Sequence, residues 1–281
     1  MKKKILFISP GPFGSFTDTL FYYKYLKNNY DLNYIGFDED KSDFDYEGIK
    51  INHIRGFGNK LRNKIIFFFK IKALIKSKKF DLIFINYFLG SSILKLFLKN
   101  HVNVIDIRSG NISTNKFKRF IYNLFLNLEC QLFKNITVIS KSLKESLKLP
   151  KRSHILPLGA QKNCLRENNN KGTTFLYIGT FWNRNITVTI KAFKIFLDTL
   201  NLEQVKNIRY NIIGFGNIND ENKIKKLIEE LSLSKNVFFL GEIRYPKILD
   251  YLKKSDIGVG YIPILKQFQN QPPTKIFEYI L

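Results

Sequence analysis

The chain has 281 residues, 44% of them hydrophobic, and its 46 Lys and Arg outnumber 23 Asp and Glu to give a net charge of +23. That length fits two domains of about 150 residues each, and the charge points to anionic partners: nucleic acid, an anionic membrane or a polyphosphate-bearing small molecule. No run reaches the ~18 apolar residues of a membrane-spanning helix, two cysteines (Cys130 and Cys164) make no disulfide framework, and three scattered histidines (His53, His101, His154) make no zinc site.

The opening MKKKILFISPGPFG has a basic flank and a short apolar run, and reads as a first strand over residues 4–9. Further strands are expected at 32–37, 49–54, 81–87, 102–107 and 135–140, with helices at 15–28, 59–78, 91–99 and 115–133 between them. Several of these strands are unbroken apolar runs, the pattern of a parallel sheet buried on both faces. A short strand at 154–158 leads into the Asn-rich stretch 161–173, read as a linker. A second series follows, with strands at 174–178, 209–213, 237–240 and 256–261 and helices at 186–200, 220–231 and 246–254. A last helix starts at Thr274 and carries Glu278 near its first turn. Alternating strand and helix gives an α/β class with two doubly wound, Rossmann-like domains, assigned to residues 1–163 and 164–281. Two such domains are expected to face a cleft at the C-terminal ends of their strands.

Several loops carry candidate chemistry. Gly11 and Gly14 let the backbone turn tightly after the first strand, and Ser15 can cap the next helix. The spacing is not G-x-G-x-x-G, so a dinucleotide reading is not favoured over a plain turn. Gly214-Phe215-Gly216 follows a strand and precedes a helix, leaving room for a base or phosphate. In YIGTFWNRN, Gly179 and Thr180 sit where a phosphate could meet a helix end. Arg184 could neutralise a diphosphate through its two-pronged guanidinium; as a mere surface cation near a helix start it would oppose the dipole. Asp43 and Asp45 form a D-x-D pair in a charge-rich connector and read as a solvated loop. Helices 59–78 and 115–133 ring a Phe-rich face with Lys and Arg, which suits either a membrane interface or a core-packed amphipathic helix. No nucleic-acid-binding motif and no hydrolase motif is present.

Four segments in order resemble the GT-B glycosyltransferases of the group 1 type, also called family 4. ITVISKSLKESL with ILPLGA is similar to the close of that family's first domain. YIGTFWNRNITVTIKAF resembles the strand, loop and helix that grip donor phosphates, NVFFLGEIRYPKILDYLKKSDIGVGYIP a following strand-helix-strand run, and PTKIFEYI the start of the helix with the second Glu of an E-x7-E motif. The resemblance implies that Glu278 binds the donor ribose, that Arg184 lies on the diphosphate, and that Gly179 and Thr180 lie beneath it. Gly214, Gly216 and Lys275 join the donor side; Gly11, Gly14, Ser15, Arg108 and Ser109 form the acceptor side. Asn270 stands where the family has the sugar-contacting Glu, and Thr180 where it has Arg. The family continues beyond this point, so the second domain is expected to be incomplete.

The implied activity is transfer of a sugar from a nucleotide-diphosphate sugar to a glycan or lipid-linked acceptor in surface polysaccharide assembly. No metal, no cofactor and no nucleic acid is implied. Positive charge would stabilise the leaving group. Inverting chemistry would need a base, for which Asp106 is the candidate. The basic, Phe-rich helices point to an anionic membrane surface, and the cysteine usage to the cytoplasm, at the inner face of the membrane. An inactive truncated remnant, a binding-only protein and a GT-B nucleotide-sugar epimerase are the competing readings.

Overall fold

A computed structural model of the chain describes residues 2–14, 17–37, 49–54, 60–160, 172–243 and 247–280. The chain divides into two compact units, one of residues 1–158 with 269–271, the other of residues 159–268 with 272–281.

The first unit runs β1 (Lys3–Ile8), α1 (Thr17–Leu26), β2 (Tyr30–Phe37), β3 (Ile49–Ile54), α2 (Lys60–Ser77) and β4 (Leu82–Asn86). A 3-10 helix (Ser91–Leu96), β5 (Val102–Ile107), α3 (Lys116–Gln131), β6 (Asn135–Val138), α4 (Lys141–Ser146) and β7 (His154–Ile155) follow. All pairings are parallel, in the order β3-β2-β1-β4-β5-β6-β7. The apolar runs read from sequence are the central strands: Ile5, Leu6, Phe7 and Ile8 are all buried. Leu6 and Ile8 face the core shared with Phe67 and Ile71 of α2, Leu94 of the 3-10 helix, and Leu126 and Cys130 of α3. These three elements therefore form one layer on one face of the sheet. Phe7 faces the other side, with Tyr23 of α1 at 4.5 Å between ring centroids. Strand order reverses between β1 and β4, which places the loop after β1 at the switch point.

The helix expected at 91–99 is instead the six-residue 3-10 turn. Its start is bound to a neighbour: Glu129 of α3 accepts from the Gly90 and Ser92 amides (3.0 and 3.3 Å) and from Ser92 Oγ (2.7 Å). Gly90 adopts φ 100° at that start. A short, tight turn satisfies these bonds where a longer helix is not needed to span two adjacent strands. Of the linker expected at 161–173, residues 161–171, with Cys164, lie outside the described residues, as do Asp43 and Asp45, while Thr173 opens the first strand of the second unit.

The second unit runs β8 (Thr173–Ile178), α5 (Thr187–Leu197), α6 (Leu202–Lys206), β9 (Ile208–Ile213), α7 (Ile218–Glu230), β10 (Val237–Gly241), α8 (Ile248–Lys253), β11 (Ile257–Gly258) and α9 (Thr274–Ile280). Its described sheet is parallel, ordered β10-β9-β8-β11, and reverses between β8 and β11. The strand expected at 256–261 shrinks to the two residues of β11. Gly258 and Gly260 lie directly beneath Tyr279 and Ile276 of α9, so this backbone is a floor for a helix more than a ladder. Helices α4 and α6, which the strand-helix reading passed over, are short and held by caps. Ser140 Oγ accepts from the Leu143 amide, and Asn201 and Gln204 form a reciprocal capping box.

Candidate active site

In the second unit the loops after β8 and β9 are packed backbone to backbone. Gly179 and Gly214 take φ 147° and 150°, a region essentially confined to glycine. The Gly179 amide donates to Ile213 O and the Phe181 amide to Phe215 O, both at 3.0 Å. A Cβ on Gly214 would overlap the Gly179 carbonyl, and one on Gly216 would press on Phe181. The two glycines expected to make room for a phosphate or base thus make room for the neighbouring loop. Trp182 and Phe215 meet edge to face across it, with centroids 5.2 Å apart. Thr180 presents its carbonyl to the Tyr177 hydroxyl at 3.2 Å.

Two cations converge beside Gly179. Asn183 and Asn185, at φ 56° and 50°, bend the chain sharply on either side of Arg184. The Arg184 guanidinium lies over the Phe268 ring, 4.1 Å from its centroid, and its Nη1 is buried with no hydrogen-bond partner among the described residues. Lys275, in the first turn of α9, is 9% exposed. Its Nζ lies 3.5 Å from the centroid of Tyr177, within reach of Gly179. Neither cation is joined to a carboxylate by any ion pair among the described residues. Burial, and then the Arg184 charge, pulls the Lys275 ammonium down from its ordinary 10.5 to about 7. Burial also lowers Arg184.

Helix α9 is fixed by its own side chains. Tyr279 Oη accepts from the Ile178 amide at 2.9 Å, one turn after Lys275, so β8 and α9 are locked together at the cationic pair. Burial raises the Tyr279 hydroxyl far above its usual range. Glu278 is half-buried on the same helix, one turn from Lys275. The site's aromatic walls, Tyr177, Phe268 and Tyr279, escape sequence reasoning because each meets its cation or amide partner across a long separation. A signal does exist: Lys275 and Tyr279 share one helix face by their spacing of four, with Ile276 and Phe277 adjacent.

The remaining candidates lie in the first unit. Asp106 is fully buried; its Oδ2 lies 2.7 Å from Arg108 Nε and its Oδ1 accepts from Thr137 Oγ1 at 2.6 Å. A carboxylate held at both oxygens and closed to solvent cannot reach an incoming hydroxyl, which corrects the expectation of a base. Its role is to fix Arg108, whose Nη2 donates to Tyr22 Oη at 3.2 Å. Ser109 is exposed beside it. Gly11 O accepts from Tyr34 Oη at 2.5 Å, and Gly14 turns at φ 82° with open space around it. Ser15 lies outside the described residues. Asn270, expected on the donor side, falls in the short segment that groups with the first unit, where its carbonyl accepts from Ser140 Oγ at 3.3 Å. The structure therefore gathers Gly179, Thr180, Arg184, Gly214, Gly216, Lys275 and Glu278 in one unit, whereas Asn270 groups with the other. Among the described residues no cluster of His, Cys, Asp and Glu could hold a metal, and no helix is long and apolar enough to cross a membrane.

Residues 165–259 match the family model of the group 1 glycosyl transferases. No curated protein matches the chain in sequence. Solved structures do. WaaG, a glycosyltransferase involved in lipopolysaccharide biosynthesis, is 13% identical with a TM-score of 0.63, over 90% of this chain and 74% of its own. Anabaena HepE in complex with UDP is 12% identical with a TM-score of 0.61, over 92% and 73%. Sucrose-phosphate synthase from Thermosynechococcus elongatus is 16% identical with a TM-score of 0.64, over 94% and 77%. At such identities the likeness carries the fold. The family match thus lies within the second unit, and the chain shares its fold, two Rossmann-like units of the GT-B kind, with these solved structures.

Proposed function

We propose that the chain transfers a glycosyl group from a nucleotide-diphosphate sugar to a glycan or lipid-linked acceptor, in surface polysaccharide assembly. One observation carries this reading: Lys275 is buried and Arg184 half-buried near it, and among the described residues no ion pair joins either to a carboxylate. Two like charges taken out of water cost several kcal/mol each unless an anion compensates them. A diphosphate supplies that anion at the strand-order reversal where ligands of parallel sheets bind. In the reaction the bond from the anomeric carbon to the phosphate oxygen breaks, and a bond from that carbon to the acceptor oxygen forms. The acceptor loses its hydroxyl proton, and negative charge grows on the departing diphosphate. Arg184 and Lys275 are the groups placed to stabilise that charge. Glu278 holds the ribose hydroxyls. The donor side belongs to residues 164–281; the acceptor side, with Gly11, Gly14, Ser15, Arg108 and Ser109, belongs to residues 1–163. With Asp106 committed to Arg108, the favoured course is retention, in which the leaving phosphate takes the acceptor's hydroxyl proton. The UDP bound in HepE and the lipopolysaccharide role of WaaG make UDP sugars the first donors to try. The test is release of nucleoside diphosphate from a panel of nucleotide sugars by the purified chain. Release that disappears in Arg184→Ala supports the reading; a chain that binds no nucleotide sugar overturns it.

A further inference from the structure

The layer formed by α2, the 3-10 helix and α3 has an outer face whose large apolar side chains are exposed. Its inner residues share one core with the sheet. Along α3, Phe117, Phe120, Leu124 and Leu128 recur at intervals of three and four and are exposed, Phe117 at 75% and Phe120 at 63%. The same outward exposure is found at Ile65 and Phe69 on α2 and at Leu96 on the 3-10 helix. Such a stripe on successive elements is unusual for a surface that meets only water.

The charges around it are of one sign. Helix α2 contains no acidic residue, nor does the 3-10 helix, and the single acid of α3, Glu129, is buried and bound to the 3-10 turn. Lys64 and Lys70 flank the stripe on α2, and Lys116 and Lys118 open α3. Asn115 caps the start of α3, but the cations in its first turn oppose the macrodipole and add nothing to the helix's own stability. Burial, and then the charge of Lys134, lowers the hold of Lys95 on its proton where the 3-10 helix meets the end of α3. A second copy of the chain would bring like charges together at this face. Nucleic acid would match the lysines and leave the leucines and phenylalanines unserved.

We propose that this face docks on an anionic lipid bilayer, with the Phe and Leu side chains below the headgroups and the lysines among their phosphates. Membrane binding by this surface goes beyond glycosyl transfer and does not depend on it. The test is flotation of the full chain with vesicles of phosphatidylcholine, with and without phosphatidylglycerol. The wild type is expected to float with phosphatidylglycerol vesicles, less so as salt rises, and to stay behind with phosphatidylcholine alone. Each lysine lost near the surface should weaken binding about fivefold, so Lys116→Gln with Lys118→Gln should lose about 25-fold. Phe117→Ser with Phe120→Ser should abolish flotation. Both double variants should keep the wild-type melting temperature and the wild-type affinity for UDP, which separates loss of docking from loss of fold or of the donor site. A wild type that ignores anionic vesicles, or double variants that float undiminished, would overturn the proposal. So would a dimer or an RNA complex that the Phe variants dissolve in a chain without affinity for vesicles.

Discussion

Replacing Lys275 by Met is the most informative single change, because it removes a charge and nearly keeps the volume. The ammonium titrates near 7 in the free chain, against an ordinary 10.5. The unfolded chain therefore holds that proton more tightly than the fold does. Stability must rise with pH between these values, and below pH 7 the buried charge costs the ligand-free fold on the order of 5 kcal/mol. A bound diphosphate reverses the situation, since it requires the charged form. Between pH 7 and pH 9 the charged share of Lys275 before binding falls about fifty-fold, which weakens UDP binding by the same factor, about 2.3 kcal/mol. In Lys275→Met the pH dependence should disappear, affinity at pH 7 should drop at least tenfold, and the ligand-free protein should melt higher at pH 6 than the wild type. Titration calorimetry with UDP at several pH values, with melting curves at pH 6 and 9, reads all three quantities. A wild-type affinity that stays flat from pH 7 to pH 9, or a Met variant that melts lower at pH 6, would refute the reasoning.

Arg184→Ala should weaken UDP about 10- to 100-fold, the range for hydrogen bonds to a charged group, and Arg184→Lys should restore only part of this because the two-pronged geometry is lost. Glu278→Gln should weaken UDP and leave inorganic pyrophosphate unaffected in parallel titrations; equal losses on both would remove Glu278 from the ribose. Asp106→Asn leaves Arg108 without its buried counter-charge and should cost about 3–5 kcal/mol in denaturant unfolding, and an unchanged midpoint would contradict the pairing role. Gly214→Ala forces a Cβ against the Gly179 carbonyl at φ 150° and should lower the melting temperature; wild-type stability would reject that packing.

The sheets are legible because their strands are buried on both faces and so are rich in apolar residues: Ile5–Ile8 is an unbroken apolar run, and Val102–Ile107 keeps the pattern despite Asn103 and Asp106, so both strands are readable almost to the residue. What escaped depends on distant partners. The 3-10 turn at Ser91–Leu96 is held by Glu129, some 37 residues away in sequence for Ser92. The shortness of β11 follows from α9 packing on Gly258 and Gly260, which local β propensity does not register. In the site, Arg184 stood out because it is a cation at a helix start, where the dipole disfavours it. Asp106 misled for the opposite reason: a carboxylate at the end of a strand has the position of a base, and only its contacts with Arg108 and Thr137 reveal a positioning group. Lys275 was visible as a basic residue near Glu278, but its burial under Tyr177 was not, because the two are joined only when α9 closes on β8.

The central claim is that the paired cations of the second unit hold the diphosphate of a sugar donor. Calorimetric titration of UDP and of inorganic pyrophosphate into the wild type and into Arg184→Ala with Lys275→Met tests it most directly. The account predicts that both ligands bind the wild type and that both are lost together in the double variant. Absence of binding to the wild type, or undiminished binding to the double variant, would contradict it.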